Sequence, residues 1–299
     1  MTLCEVLSWA SRYLAEAGLE TPRLDAEVLL ASLLGRDRAW IHAHSRDIVL
    51  GDDAQSAFRE MVYRRARRES VALILGEREF WSLTFRITRD TLVPRPETEI
   101  LVEEVLRLCR AEGWRSPRIL DAGTGSGVIA VVLAVELPNA HILALDRSIA
   151  ALRIARENAQ IHGVGERIHF VQSDWLSSIR RGPNGCGGFH CIASNPPYVA
   201  EGTAGFALEP GVGEYEPSCA LYGGRDGMDA IRTLLRQAPA VLCPGGFLCM
   251  EIGWDQAEMT RQAARDEGVY DSLRVIQDLA GRDRVFVSRL MEGCSLQDT

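Results

Sequence analysis

Residues 118–127 read Arg118-Ile119-Leu120-Asp121-Ala122-Gly123-Thr124-Gly125-Ser126-Gly127, and this stretch decides the fold. Its first part is a short apolar run typical of a strand, and three glycines follow at alternate positions. Glycine lets the backbone approach a ligand closely, and the helix expected from Val128 onward offers free N–H groups at its start. The stretch therefore predicts a strand, a Gly-rich turn and a helix, and such a turn usually binds a cofactor.

The same alternation continues toward the C-terminus. Helical segments separate the early strands, and each strand is a short apolar run. This order predicts an α/β sandwich with a mostly parallel sheet. The predicted strands cover residues 119–121, 142–146, 168–171, 190–193, 247–252 and 284–287.

The N-terminal part of the chain has helical periodicity instead. Apolar residues recur at helical spacing from Leu3 to Leu14, a Thr-Pro pair at 21–22 is typical of a second helix start, and a third helix is expected over 53–68. We therefore expect a helical domain over residues 1–75, which either recognises a substrate or gives structural support. Its densest basic patch is either a solvated helix face or a docking patch for a partner or RNA, and it contains Arg64, Arg65, Arg67 and Arg68.

Residues 76–93 differ from both flanking regions. They contain aromatic and β-branched runs with partial alternation, which predict a β-hairpin linker. Prolines and acids at 94–99 then indicate a new helix start. The α/β domain is accordingly expected over residues 94–299.

The composition excludes several kinds of catalysis and partner. All 33 Lys and Arg residues are Arg, so Schiff-base catalysis, pyridoxal phosphate chemistry and a P-loop lysine are excluded. The net charge of −8 gives no general attraction to nucleic acid or to anionic membranes, and we expect no direct nucleic-acid binding. The eight cysteines form no Cys-x-x-Cys pair, so we expect reduced thiols and no metal site.

The sequence also indicates where in the cell the protein is expected. It contains no apolar run of about 18 residues, the length that would span a bilayer, and its N-terminus has neither a secretion signal nor a transit-peptide composition. A cytoplasmic protein that makes no membrane contact is therefore expected.

The glycine spacing narrows the choice of cofactor. A dinucleotide fingerprint reads Gly-x-Gly-x-x-Gly, but Val128 stands where its third glycine would be. A short Gly-x-Gly turn with no pyrophosphate to hold suits an adenosine that carries an amino-acid tail, as in S-adenosyl-L-methionine. Asp121 is a candidate for the acid beside its cationic sulfonium. An NAD-dependent oxidoreductase is the competing class.

Acidic residues follow the next two predicted strands. The Asp146 carboxylate is expected to accept hydrogen bonds from the two ribose hydroxyls, although capping the next helix is the alternative. Asp174 is expected to bind the adenine amino group and Trp175 to cover the adenine ring. The alternative for this pair is a strand-end turn with a packed Trp.

Asn195-Pro196-Pro197-Tyr198, after the fourth predicted strand, is the most specific signal. The two prolines fix the backbone and remove two N–H donors, while their carbonyl groups stay available as acceptors. With the Asn195 amide and the Tyr198 ring, this forms a site for a planar –NH2 group. Holding both hydrogens of such a group prepares its nitrogen for methyl transfer, and we expect catalysis by Asn195, Pro196 and Tyr198.

These motifs resemble those of the release factor glutamine N5-methyltransferase family (HemK/PrmC), almost from end to end. The segments that carry the resemblance, besides Asn195 to Tyr198, are 25–27, 76–81, 94–99, 215–217, 220–221, 223–227, 251–253 with Gln256, and 278–284. One departure lies before Gly76, where the family usually has Pro and Tyr but this chain has Ser70 and Leu73.

The resemblance implies a seven-strand, Rossmann-like class I methyltransferase domain after a small all-α domain that docks the substrate. It implies methylation of the glutamine amide in the Gly-Gly-Gln motif of class 1 peptide-chain release factors, by a monomer that produces S-adenosyl-L-homocysteine. Substrate contacts carry over to Asn195, Pro196, Pro197 and Tyr198, and Arg95, Glu97 and Thr98 would lie near the methionine end of the cofactor. Cofactor contacts carry over to Gly123, Thr124, Gly125, Ser126, Gly127, Asp146, Trp175 and Asn195.

Two further alternatives remain open from the sequence. One is an amino-methyltransferase that acts on another protein glutamine or on a nucleic-acid base. The absence of an evident basic groove argues against a base that is buried in nucleic acid. The other is a binding module without catalytic activity.

Overall fold

A computed structural model describes residues 1–180, 188–202 and 211–292 of the chain. The chain divides into two units. The first contains Met1–Glu77 with Leu208–Tyr215, and the second contains Arg78–Ala207 with Glu216–Thr299.

The second unit is built on a seven-stranded sheet whose strands lie in the order 168–172, 141–146, 118–122, 189–194, 242–251, 283–290 and 270–277, here labelled β5, β4, β3, β6, β7, β9 and β8. The five strands from β5 to β7 are parallel, whereas β9 runs antiparallel to both β7 and β8. The predicted α/β sandwich with a mostly parallel sheet is therefore confirmed. The strands are β3 (Arg118–Ala122), β4 (His141–Asp146), β5 (Ile168–Gln172), β6 (Phe189–Ser194), β7 (Leu242–Glu251), β8 (Tyr270–Gln277) and β9 (Asp283–Leu290).

Strand β8 was not predicted from the apolar pattern. It lies at the edge of the sheet, and most of its side chains are exposed or half-buried. An edge strand needs fewer apolar residues than a central one, and the polar side chains of β8 hide the strand in the sequence.

A separate two-stranded hairpin precedes the sheet, with β1 at Glu77–Phe80 and β2 at Leu83–Arg86. Both residues of its turn, Trp81 and Ser82, have positive φ, at 55° and 57°. This is the backbone of a type I′ turn, which normally selects Gly or Asn. Two contacts hold Trp81 there: its backbone N–H donates to Glu99 at 2.8 Å, and its indole N–H donates to Glu136 at 2.9 Å.

Helices cover both faces of the large sheet. The helix Val128–Glu136 is apolar all round and is buried along most of its length, so it packs against the sheet and other helices at once. The other α-helices of this unit are Thr98–Ala111, Ile149–Ile161, Ser218–Leu221, Asp229–Gln237 and Ala257–Glu267, and the 3-10 helices are Gly165–Arg167 and Ala238–Ala240.

The first unit is helical, as the periodicity of its sequence predicts. Leu3, Leu7, Leu14, Leu29 and Phe58 are fully buried in its core. Among the described residues, its longest helix has 15 residues, and no helix combines the length and the apolar character needed to cross a membrane. The helices are Leu3–Glu16, Pro22–Leu34, Arg38–Ala43, Asp52–Ala66, Val71–Leu75 and Val212–Tyr215.

Ion pairs within this unit account for part of the basic patch. Arg64 pairs with the buried Glu69 at 2.8 Å, and Arg65 pairs with the buried Asp25 at 2.7 Å. These two side chains therefore contribute to the packing of the helices in this unit. The departure at Ser70 also has a local role, because its hydroxyl accepts the Leu73 N–H and caps the helix Val71–Leu75.

Candidate active site

A cavity of about 420 Å³ opens at the carboxyl ends of β3, β4, β5 and β6. Parallel sheets bind ligands at this edge, and the volume lies in the range of small-molecule sites. The predicted site residues that line it are Gly123, Thr124, Gly125, Ser126, Asp146, Asp174, Trp175, Asn195 and Pro197. Gly127, Pro196 and Tyr198 are not among its lining residues.

The Gly-rich turn follows β3 and precedes the buried helix. Gly123 and Gly125 have φ of 77° and 55°, so both positions favour glycine. Gly127 has a different constraint: a Cβ there would lie 3.0 Å from the Ala155 Cα. Gly127 therefore allows the turn to pack against the helix Ile149–Ile161, and it does not face the cavity.

Asp146 ties this turn to the end of β4. Its Oδ2 accepts the Gly125 N–H at 2.9 Å, and its Oδ1 accepts the Ser148 N–H at 2.8 Å. The cap of the next helix is the Ser148 side chain, which accepts the Ala151 N–H. A carboxylate has about four acceptor directions, so both Asp146 oxygens keep capacity for ligand hydroxyls. Burial raises the pKa of this carboxyl, and the backbone donors oppose that rise.

Asp121 does not lie where the sequence suggested. It is fully buried beneath the turn and does not line the cavity. Its Oδ2 accepts hydrogen bonds from the Thr124 hydroxyl at 2.6 Å and from the Ala130 N–H at 3.2 Å. Its Oδ1 has no hydrogen-bond partner in the described part of the chain. Burial raises the pKa of the Asp121 carboxyl to about 7, so Asp121 is not a permanent anion beside a sulfonium.

Replacing Asp121 should change how stability depends on pH. An unfolded Asp ionises near pH ~4, whereas the folded carboxyl keeps its proton until about pH 7, so this group lowers the free energy of unfolding by about 1 kcal/mol per pH unit as pH rises between those values. Urea unfolding of Asp121→Asn should show a shallower decline over that window. Asp47→Asn, at an exposed acid, is the control. A wild-type slope in Asp121→Asn would contradict the assignment.

Trp175 and Asp174 follow β5 on the far side of the turn. Trp175 has a φ of 51°, and its ring lies over Gly123, where an added Cβ would meet the ring at 3.5 Å. The indole therefore forms an aromatic wall of the cavity, as an adenine ring requires. Asp174 is exposed at the cavity edge, where its carboxylate is open to an amino donor.

The Asn195 side chain is held by Thr98, which also lines the cavity. Its Nδ2 donates to the Thr98 hydroxyl at 3.0 Å, and that hydroxyl donates to Glu251 Oε2 at 2.7 Å. The Tyr198 hydroxyl donates to the other oxygen, Glu251 Oε1, at 3.2 Å. In the described ranges, the Asn195 Oδ1 and the Pro196 carbonyl oxygen accept no hydrogen bond. These two acceptors remain for a ligand.

Gln256 and two glycines fix the backbone after the prolines. The Gln256 Nε2 donates to the Tyr198 carbonyl at 2.9 Å, and its Oε1 accepts the Gly253 N–H at 2.9 Å. Gly223 and Gly227 approach this loop so closely that a Cβ on either would lie 2.3 Å from a carbonyl oxygen, that of Pro197 or Tyr198 respectively. The loop is therefore held by contacts from distant parts of the sequence.

The residues present fit an adenosine with a cationic amino-acid tail. The turn allows close approach, Asp146 offers acceptors to hydroxyls, and the Trp175 ring offers a stacking face. Glu251 and Gln256 were named in the sequence only as parts of motifs. A Glu at the end of an otherwise apolar strand was the available signal, since an unpaired Glu is almost never fully buried.

Comparisons with known proteins bear on both parts of the chain. A family model described as the PrmC N-terminal domain matches residues 5–76, and one described as the methyltransferase small domain matches residues 96–209. A release factor glutamine methyltransferase of Xylella fastidiosa is 43% identical over 267 residues, which cover 89% of this chain and 93% of that protein. The protein of that name from Geobacter sulfurreducens is 41% identical over 97% of both chains.

A solved structure supports the fold of the second unit. The methyltransferase from Pyrococcus furiosus has a TM-score of 0.53 and 19% identity, and the match covers 77% of this chain and 98% of that one. At this identity the likeness shows the fold alone, which is the Rossmann-like methyltransferase fold that the sequence predicts.

Proposed function

We propose, because the chain belongs to the release factor glutamine methyltransferase family, that it transfers a methyl group to the side-chain amide nitrogen of the glutamine in the Gly-Gly-Gln motif of peptide-chain release factors. The methyl donor is S-adenosyl-L-methionine. The observation that carries the proposal is the Asn195 Oδ1, an acceptor without a partner among the described residues, on a residue that lines a cavity suited to that donor. The Pro196 carbonyl, next along the chain, is a second acceptor without a partner among those residues.

The cofactor supplies an electrophilic methyl group on a positively charged sulfur. Asp146 binds the ribose hydroxyls, Asp174 accepts from the adenine amino group, and Trp175 covers the adenine ring. The residues of the turn from Gly123 to Ser126 keep the backbone close to the ligand, and Gly127 allows the turn to pack against the next helix. Asn195 borders both the cofactor and the substrate, since it lines the cavity from the end of β6.

An amide nitrogen is a poor nucleophile because its lone pair is delocalised into the carbonyl group. Asn195 Oδ1 and the Pro196 carbonyl accept its two hydrogens, while Pro197 borders the amide plane from the cavity wall and Tyr198 supports the loop from outside the lining. Bound S-adenosyl-L-methionine would supply the methyl group and keep the electron pair of the broken carbon–sulfur bond on its sulfur, and the methylated nitrogen would lose one proton to solvent water. The two acceptors stabilise the positive charge that develops on nitrogen, and they hold it in line for transfer.

The proposal also assigns roles outside the cavity. Residues 1–75 recognise the release factor, residues 76–93 act as a β-hairpin linker, and residues 94–299 form the catalytic domain. The enzyme works as a monomer in the cytoplasm, where its substrate is found. The sequence match to the PrmC N-terminal domain over residues 5–76 supports the recognition role.

Removing the Asp146 carboxylate should weaken cofactor binding. Hydrogen bonds to charged groups contribute about 1.5–3 kcal/mol each, and Asp146 also holds the Gly125 N–H, so we expect Asp146→Ala to raise the Kd for S-adenosyl-L-methionine by about 100-fold. Isothermal titration calorimetry measures this change. Asp266→Ala, at an exposed acid outside the cavity lining, should bind as wild type does. Equal affinities for the two variants would contradict the role of Asp146.

A transfer assay tests the function itself. The protein is incubated with methyl-labelled cofactor and a release factor that carries Gly-Gly-Gln, and in parallel with the same factor carrying Gly-Gly-Glu. We expect label only in the first, because a carboxylate offers no nitrogen. Equal labelling of the two factors would overturn the glutamine assignment.

A further inference from the structure

Glu251 is a buried carboxylate that no ligand contact explains. It is 1% exposed at the end of β7, an otherwise apolar strand, and it does not line the cavity. Burying a charged carboxylate is costly unless donors satisfy it. Two hydroxyl groups do so, Thr98 on one oxygen and Tyr198 on the other.

The charge on the Glu251 carboxyl decides the direction of its hydrogen bonds. Burial raises the pKa of Glu251, and the two hydroxyls and the nearby Arg284 guanidinium oppose that rise. Burial and the neighbouring Glu251 charge raise the pKa of the Tyr198 phenol well above its usual range, so Tyr198 keeps its proton. In the structure both neighbouring hydroxyls donate to Glu251, which accepts one hydrogen bond on each oxygen, as an ionised carboxylate does.

The single proton of the Thr98 hydroxyl then determines its contact with Asn195. A hydroxyl has one proton to donate, and the Thr98 proton is committed to Glu251 Oε2. Toward Asn195, 3.0 Å away, the Thr98 oxygen can therefore only accept. The amide group of Asn195 must turn its Nδ2 to Thr98 and, consequently, its Oδ1 away from Thr98.

We propose that Thr98 and Glu251 are positioning residues which select the orientation of the Asn195 amide that presents its oxygen to the substrate. The opposite orientation would present an –NH2 group to another –NH2 group, and the substrate nitrogen would not be held. This inference rests on the proposed function, because it concerns the acceptor that binds the substrate amide.

Tyr198 has a related position in this network. Its hydroxyl donates to Glu251 Oε1, and neither Tyr198 nor Glu251 lines the cavity. The Tyr198 hydroxyl is therefore an anchor for the loop and for the Glu251 charge. It is not a proton donor or acceptor for the substrate.

Replacing Thr98 tests the relay from Glu251 through Thr98 to Asn195 with a matched pair of variants. Thr98→Val keeps the shape but removes the hydroxyl, so Nδ2 of Asn195 loses its acceptor and we expect kcat to fall about 50-fold. Thr98→Ser keeps the hydroxyl and should stay within about threefold of wild type. The KM for the release factor should change less than about threefold in both variants, so the two differ in kcat and not in substrate binding. Equal kcat values for the two would overturn the proposal.

Reversing the direction of the relay is a sharper test. In Asn195→Asp the introduced carboxylate oxygen faces a Thr98 oxygen whose proton is already given to Glu251, so two acceptors meet and transfer should fail. Adding Glu251→Gln supplies an N–H that donates to Thr98, and the Thr98 proton then becomes available to the introduced carboxylate. In both the single and the double variant, the second oxygen of the introduced carboxylate faces the cavity as an acceptor.

We therefore expect Asn195→Asp with Glu251→Gln to be at least about tenfold faster than Asn195→Asp alone. A purely structural role for Glu251 predicts that the second substitution adds damage, and a double variant no faster than the single one would overturn the relay. Calorimetry with the cofactor verifies that both proteins are folded. If either is not folded, the comparison of Thr98→Val with Thr98→Ser tests the relay instead.

Failure of the relay can be told apart from failure of the proposed function. Wild-type protein that labels Gly-Gly-Gln but not Gly-Gly-Glu establishes the function whatever the variants do. If wild type labels a different amino acceptor instead, the same ratios between variants are measured with that acceptor. The proposed relay is contradicted only if the kcat ratios between these variants differ from those expected above.

Discussion

Asn195→Ala is expected to fold and to bind the cofactor, but to transfer methyl groups about a thousandfold more slowly than wild type. The substitution removes the Oδ1 acceptor that we assign to the substrate N–H, and it leaves the contacts of Glu251 with Thr98 and Tyr198 in place. Loss of one preorganised hydrogen-bonding group in an active site costs about 100- to 1000-fold in kcat. Single-turnover assays with saturating release factor measure the effect on the transfer step directly.

The matched control is Asn139→Ala, which makes the same chemical change at an exposed residue outside the cavity lining. It should retain wild-type kcat. The Kd of Asn195→Ala for the cofactor should rise by less than about tenfold, because most cofactor contacts come from other residues. Transfer by Asn195→Ala within tenfold of wild type would show that the amide of Asn195 does not hold the reacting nitrogen.

Gly227→Ala is expected to have the second large effect, on both stability and activity. Its Cβ would lie 2.3 Å from the Tyr198 carbonyl oxygen and 2.6 Å from the Gln256 Nε2, and the position has a φ of 75°. Either the loop moves or the Gln256 contact breaks, so we expect the free energy of unfolding to fall by about 3 kcal/mol and kcat to fall at least about 100-fold. Urea unfolding and single-turnover assays measure the two effects.

The variant Gly281→Ala distinguishes the steric clash of the added Cβ from the cost of a positive φ. Gly281 also has a φ of 75°, but nothing lies within 4 Å of the added Cβ. Only the left-handed backbone penalty applies there, at about 1–2 kcal/mol, and kcat should be unchanged. Equal losses in the two variants would mean that the close approach to Tyr198 contributes nothing.

The cofactor edge of the sheet could be predicted from the sequence because its signals are local. The turn from Gly123 to Gly127, Asp146 and the Asn195 motif each end a short apolar strand, and strand ends of a parallel sheet meet at one edge. The structure brings most of them to one cavity. Gly127 and Asp121 do not line the cavity, and strand periodicity does not tell which side of a turn faces a ligand.

The support of the catalytic loop could not be predicted in the same way. Thr98 and Glu251 are separated by 153 residues, and Tyr198 and Gln256 by 58. A hydrogen bond between residues so far apart in the sequence does not change the residue pattern of either segment, so neither pattern identifies the partner. Only the buried acid in β7 and the glycines at 223 and 227 stand out, and their partners become clear when the strands β6 and β7 are placed side by side.

The nitrogen that receives the methyl group is the most direct test of the central claim. A release factor labelled on its methyl group by this protein is hydrolysed in acid, which converts a methylated glutamine amide to glutamate and volatile methylamine. We predict that the label is recovered as methylamine. Label that stays on an amino acid after hydrolysis would place the methyl group on another side chain and would contradict the assignment of the Asn195 site to an amide nitrogen.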